Sequence, residues 1–156
     1  MRKRTYQDGF MQRKWLVLLA AILIALLLFI IISGIADNKE MTISEVAGED
    51  FEKITKIVFR DGRGKNQPFS LEDAGKIDEF LGQINGYVVK KEKNHEKTVG
   101  WNHGADFYIG NKKVMSIIFK NPLIIDGKYY ETIKGQMKPA DIDHFIQSVN
   151  PEWKLP

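Results

Sequence analysis

Residues 105–133, ADFYIGNKKVMSIIFKNPLIIDGKYYETI, carry the clearest signals of a sheet. Short runs rich in β-branched and aromatic residues alternate here with Gly110-Asn111, Asn121-Pro122 and Asp126-Gly127, all turn-forming pairs. Residues 105–109 read as a strand, Gly110-Asn111 as a two-residue hairpin turn and 112–119 as its partner. Asn121-Pro122 breaks the run, after which 123–125 pairs with 129–133 across Asp126-Gly127-Lys128. Connections this short join only antiparallel neighbours, so the sheet is antiparallel.

Working outward, Pro139 opens a final helix at a position where a missing N–H costs nothing, and Ile142, Phe145, Ile146 and Val149 form its apolar face. On the other side, residues 87–93 read as a strand and the charged stretch 92–97 as a solvated turn. Ala74, Ile77, Leu81 and Ile84, with Phe80 alongside, recur at helical spacing behind a Ser70/Asp73 capping signal. Asn85-Gly86 ends that helix where a left-handed residue is expected. Residues 54–60 form the first strand, stopped by Asp61-Gly62, and 63–68 a loop. Residues 37–50 are polar and weakly patterned and read as a stalk. The expectation for 51–156 is an α+β domain, a small antiparallel sheet with about two packed helices on one face.

A different signal occupies the N-terminus. Residues 15–36 carry no charge, and 16–32 are apolar without a break. As a helix, 22 residues reach roughly 33 Å, enough for a bilayer core of about 30 Å. Arg2, Lys3, Arg4, Arg13 and Lys14 crowd one flank, which places 1–14 in the cytoplasm and the domain outside by the positive-inside rule. Trp15 falls at the inner interface. The alternative is a signal peptide cleaved after Ala36, since Gly34 and Ala36 are small. The apolar run is long for a signal, which favours an uncleaved signal anchor. The chain has no cysteine, so neither a lipid-modified cysteine nor a disulfide enters.

Charge sorting changes how the chain reads. The net +3 divides into an inner tail of +4 and a remainder, with 18 basic and 19 acidic residues, of −1. A nucleic-acid-binding domain carries its positive excess on the folded body, so nucleic acid is excluded as a partner. The partners expected are the lipid bilayer and another membrane or envelope protein.

Thr98-Val99-Gly100-Trp101, then Asp106-Phe107-Tyr108-Ile109, then Ile124-Ile125-Asp126-Gly127-Lys128-Tyr129-Tyr130 and a closing helix resemble a small exported domain of Gram-positive bacteria. That group combines a Gly-Trp element, an I-x-(N/D)-G-x-Y-Y hairpin and a terminal helix behind a single membrane anchor. The resemblance covers residues 54–149. It implies a cell-envelope location and an α+β architecture and carries no active site.

No catalytic pattern emerges. His95, His103 and His144 lack metal-ligand spacing and read as surface histidines, although Asp141 and His144 are placed to share a helix face. Ser33, Ser44, Ser70, Ser116 and Ser148 stand outside any G-x-S-x-G setting. The segment Asp61-Gly62-Arg63-Gly64-Lys65 lacks phosphate-loop spacing and puts cations where a calcium loop needs oxygen ligands, so it reads as a flexible basic turn. No metal or cofactor is expected. Trp101, Phe107, Tyr108, Tyr129 and Tyr130 are read mostly as packing, with Trp101, Asn102, His103 and Tyr130 as the candidate binding surface. The function that fits is a membrane-anchored, non-catalytic module binding a ligand or partner. The alternatives are an accessory subunit of a membrane complex using its transmembrane helix, and a cell-envelope hydrolase.

Overall fold

The computed structural model describes residues 5–37, 39–93, 100–135 and 138–155. Arg2, Lys3, Arg4, His95, Thr98 and Val99 lie outside the described residues. The chain divides into two compact units, Met1–Asn38 and Lys39–Pro156.

The first unit is one helix, α1 (Thr5–Asp37), which begins upstream of the apolar run. Its stretch Arg13–Ile31 has a mean hydropathy of 2.9 and is long and apolar enough to cross a membrane. Side chains on every side of this stretch are exposed, among them Leu19, Leu23, Leu27 and Phe29, whereas a soluble core helix buries at least one stripe. Arg13, Lys14 and Trp15 are exposed at its start.

The second unit is α+β. It contains β1 (Glu40–Thr42), α2 (Ile43–Ala47), a 3-10 turn (Gly48–Lys53), β2 (Lys56–Asp61), β3 (Phe69–Leu71), α3 (Ala74–Asn85) and β4 (Val88–Lys91). These are followed by β5 (His103–Ile109), β6 (Lys112–Phe119), β7 (Leu123–Ile125), β8 (Lys128–Lys134) and α4 (Pro139–Val149). The eight strands form one antiparallel sheet in the order β1-β4-β8-β7-β6-β5-β2-β3. It is larger than the small sheet expected from the sequence.

The stretch read as a stalk supplies the difference. Glu40, Met41 and Thr42 pair with Lys90, Val89 and Val88 as an edge strand. Thr42 then caps α2: its Oγ1 accepts from Glu45 N at 3.2 Å, and Glu45 Oε2 accepts from Thr42 N at 2.8 Å. Ser44 N donates to Asn85 Oδ1, tying α2 to the end of α3, and Ile43 is fully buried. Residues 39–50 are therefore part of the domain.

Three local expectations shift. Residues 69–71 are an edge strand, and the cap of α3 is Asp73, whose Oδ1 accepts from Lys76 N at 2.9 Å. Gly86 ends α3 in a right-handed conformation, φ −68°. The β7–β8 turn is the two-residue Asp126-Gly127, with φ of 48° and 75°, and Lys128 pairs with Ile125. Positive φ at both positions gives the twist that a tight hairpin needs.

Alternation along the strands sends Ile57, Phe59, Ala105, Phe107, Met115, Ile117, Leu123 and Ile125 to one buried face. Phe80 and Ile84 of α3 and Phe145 and Ile146 of α4 join the same core. Phe80 sits at its centre, with ring centroids 5.0 Å from Phe59, 6.0 Å from Phe119 and 4.9 Å from Phe145.

Candidate functional site

The end of the sheet where β2 stops, β5 starts and β6 stops carries a buried polar network. Its centre is Asp143 on α4, 1% exposed. Arg63 grips the carboxylate with two parallel hydrogen bonds, Nη1 to Oδ2 and Nη2 to Oδ1, both 2.8 Å. Trp153 Nε1 donates to Oδ1 at 2.8 Å, and His103 Nε2 meets the same oxygen at 2.9 Å. A carboxylate that only accepts requires His103 to carry its hydrogen on Nε2. Burial opposes ionisation of Asp143, but the bonds from Arg63, Trp153 and His103 outweigh it and hold the carboxyl well below the usual carboxylate range.

Asp61 organises the neighbouring loop. Its Oδ1 accepts from the backbone N and the Nε of Arg63, and its Oδ2 from Lys65 N, Asn66 N and Asn66 Nδ2. Burial again resists the charge, and these donors, Arg63 foremost, lower the Asp61 pKa despite it. The same two carboxylates raise the Arg63 pKa: the bonds it donates to Asp143 come first, burial opposes them, and Asp61 adds to the effect. Residues 61–66 are thus a braced turn rather than the flexible basic turn read from the sequence. Asn66 also exchanges two hydrogen bonds with the Lys154 backbone, Nδ2 to O at 3.0 Å and N to Oδ1 at 2.7 Å. The C-terminal segment is strapped to this loop, and Trp153 is buried.

Beside the network opens a cleft of about 550 Å³. Tyr87, Phe119, Leu123 and Ile142, all nearly enclosed, form its apolar floor. Arg63, Trp101, Asn102, Lys120 and Asn121 provide the rim. Trp101 is half-buried, stacked near the Arg60 guanidinium with Cζ 5.4 Å from the ring. It fits because Gly62 and Gly104 lack side chains: a Cβ on Gly104 would lie 3.3 Å from the ring, and one on Gly62 would run into both the ring and the Trp101 carbonyl. Gly62→Ala should therefore cost about 1–3 kcal/mol and push Trp101 outward. Chemical denaturation together with acrylamide quenching of tryptophan fluorescence checks both parts. An unchanged midpoint and unchanged quenching would refute the close approach.

The four residues proposed from sequence do not form one surface. Trp101 and Asn102 are on the cleft rim. His103, read as a surface histidine, is fully enclosed and faces Asp143. Tyr130 is buried on β8, separated from β5 by β7 and β6. Strand alternation is the reason: His103 shares its face with Ala105 and Phe107, and Tyr130 pairs with Leu123 on that same inner face. His144 is exposed on α4, while the Asp141 carboxylate caps that helix by accepting from Lys138 N at 3.0 Å. Among the described residues no cluster of three potential metal ligands occurs. Asp61, Arg63, Asp143 and Trp153 escaped the sequence reading. One signal was available: in α4, Asp143 falls about 60° from Ile146, on the flank of the apolar face, where an acid needs a buried partner.

The His103–Asp143 pair is enclosed, and the exposed groups beside it are those of the cleft rim. No protein-family model, curated protein or solved structure matches this chain.

Proposed function

We propose that this chain is a single-pass membrane protein, N-terminus cytoplasmic, whose α+β domain stands outside the membrane and binds a ligand or partner without transforming it. The observation that carries the binding reading is the cleft. Its apolar floor is ringed by a half-exposed tryptophan and exposed amides, and the Asp61–Arg63–Asp143 bracing holds its rim in place before anything binds. The anchor reading rests on α1 and on the basic residues preceding its apolar run. The resemblance to exported Gram-positive domains supports a cell-envelope setting.

The absence of cysteine provides the test, because an introduced thiol is unique. Pro139→Cys, at an exposed position on the cleft rim, should react in intact cells with a membrane-impermeant photoactivatable maleimide and give a crosslinked adduct on illumination. Lys112→Cys, in the hairpin at the far end of β6, should be labelled without forming that adduct. Labelling that requires lysis would overturn the topology. Equal adducts at the two positions, or none at Pro139→Cys, would overturn the cleft as the binding place.

A further inference from the structure

The chemistry of the cleft narrows what it takes. We infer that its ligand is a short, uncharged, extended stretch of peptide with one apolar side chain seated on the floor; this rests on the binding reading above. Three classes of ligand compete, and the lining discriminates among them.

An anion is disfavoured although two cations stand at the rim. Arg63 is already neutralised, 2.8 Å from Asp61 and 2.8 Å from Asp143, and Lys120 is engaged within the domain. An anion arriving there would meet a guanidinium whose charge is matched by two carboxylates behind it.

A glycan is disfavoured by the floor and by the acceptors. The floor is built from Tyr87, Phe119, Leu123 and Ile142, and among the described residues no aspartate or glutamate lines the cleft. Sugar hydroxyls lowered onto such a floor would surrender water and gain partners only at the rim amides, and each hydroxyl left over the floor costs roughly 1–3 kcal/mol.

A peptide satisfies both parts. Its side chain covers the apolar floor, and its main-chain amides match Asn102 and Asn121. Each asparagine presents a donor and an acceptor in the same planar arrangement as the peptide unit. Both are exposed and flank the floor. The cleft volume, about 550 Å³, suits two or three residues rather than a folded surface.

The test uses the full chain in lipid nanodiscs, with the Trp101 indole N–H signal, assigned through Trp101→Phe, as readout. The probes are an N-acetylated, C-amidated tripeptide with leucine at the centre, its glycine-centred counterpart, inorganic phosphate and chitotetraose. The leucine peptide should shift the signal saturably. The glycine peptide should bind about tenfold more weakly or worse, for want of the buried side chain. Raising salt about tenfold should leave the affinity nearly unchanged, as expected without a charged contact. Asn102→Ala and Asn121→Ala, both at exposed positions, should each weaken binding several-fold. Saturation by chitotetraose or phosphate in place of the leucine peptide would overturn the inference, as would equal binding of the two peptides. A crosslink at Pro139→Cys with no peptide response sinks the peptide assignment and leaves the binding reading standing. Absence of both sinks the two together.

Discussion

Asp143→Ala should destabilise the extramembrane domain by about 3–5 kcal/mol, the range for removing one partner of a buried ion pair. The loss comes from what the substitution strands. Arg63 keeps a charge that is 15% exposed and loses both bonds to Asp143, while Trp153 Nε1 and His103 Nε2 lose their acceptor in the interior. Three separate pieces of chain meet at this carboxylate: the turn after β2, the start of β5 and the segment after α4. Denaturant titration of the full chain in detergent micelles measures the effect. A cost below about 1 kcal/mol would show that the network does not hold these pieces together.

The pH dependence has a definite sign. Asp143 and Asp61 have lower carboxyl pKa values folded than the ordinary 3.8. The unfolded chain therefore takes up protons first as pH falls. The stabilisation is fully present above about pH 4 and is lost progressively as pH descends toward the folded values. The wild-type domain should be steady near neutrality and weaken steeply in acid. In Asp143→Asn the acid slope should be shallower, because one of the depressed carboxyls is gone. An identical slope in the two proteins would refute the assignment.

Phe80→Ala should cost a similar amount, about 3–5 kcal/mol, by a different route. Phe80 is fully buried and touches the rings of Phe59 on β2, Phe119 on β6 and Phe145 on α4. Truncation removes the transfer energy of the ring and leaves a cavity among three aromatic rings fixed by different elements, so collapse is hindered. Two of the three contacts are close to edge-on, at 86° and 79°, a geometry that contributes beyond area alone. Phe80→Leu should recover much of the loss. Near-ultraviolet circular dichroism alongside denaturation separates a cavity from a rearranged core. A cost near zero would mean that the helix does not pack on the sheet here.

Several elements were legible one by one because their signals are local. The helix α1 announced itself through an unbroken apolar run. The pairings of β5 with β6 and of β7 with β8 followed from turn chemistry, and α3 and α4 from apolar spacing. In each case neighbours within about one helical turn or one hairpin carry the pattern. The edge strands β1 and β3, three residues each, are too short to display a period, and the capping box Thr42–Glu45 passed unnoticed within a polar stretch. That is why the sheet was expected to be smaller and a stalk was expected in its place.

The site was legible only in part. Trp101 and Asn102 lie on the cleft rim, but Arg63 reads in the sequence as part of a flexible basic turn and Trp153 carries no local signal. Arg63 and Asp143 are 80 positions apart, and Asn66 and Lys154 are 88 apart. No periodicity spans such distances. Local signals along the chain suffice for a helix fit to cross a membrane, for the hairpins and helices of an α+β domain, and for a near-neutral domain charge. The strand order, the burial of His103 and the pairing of Asp143 with Arg63 emerge only as distant segments pack together. An isolated charge is written identically whether water or a distant partner will solvate it.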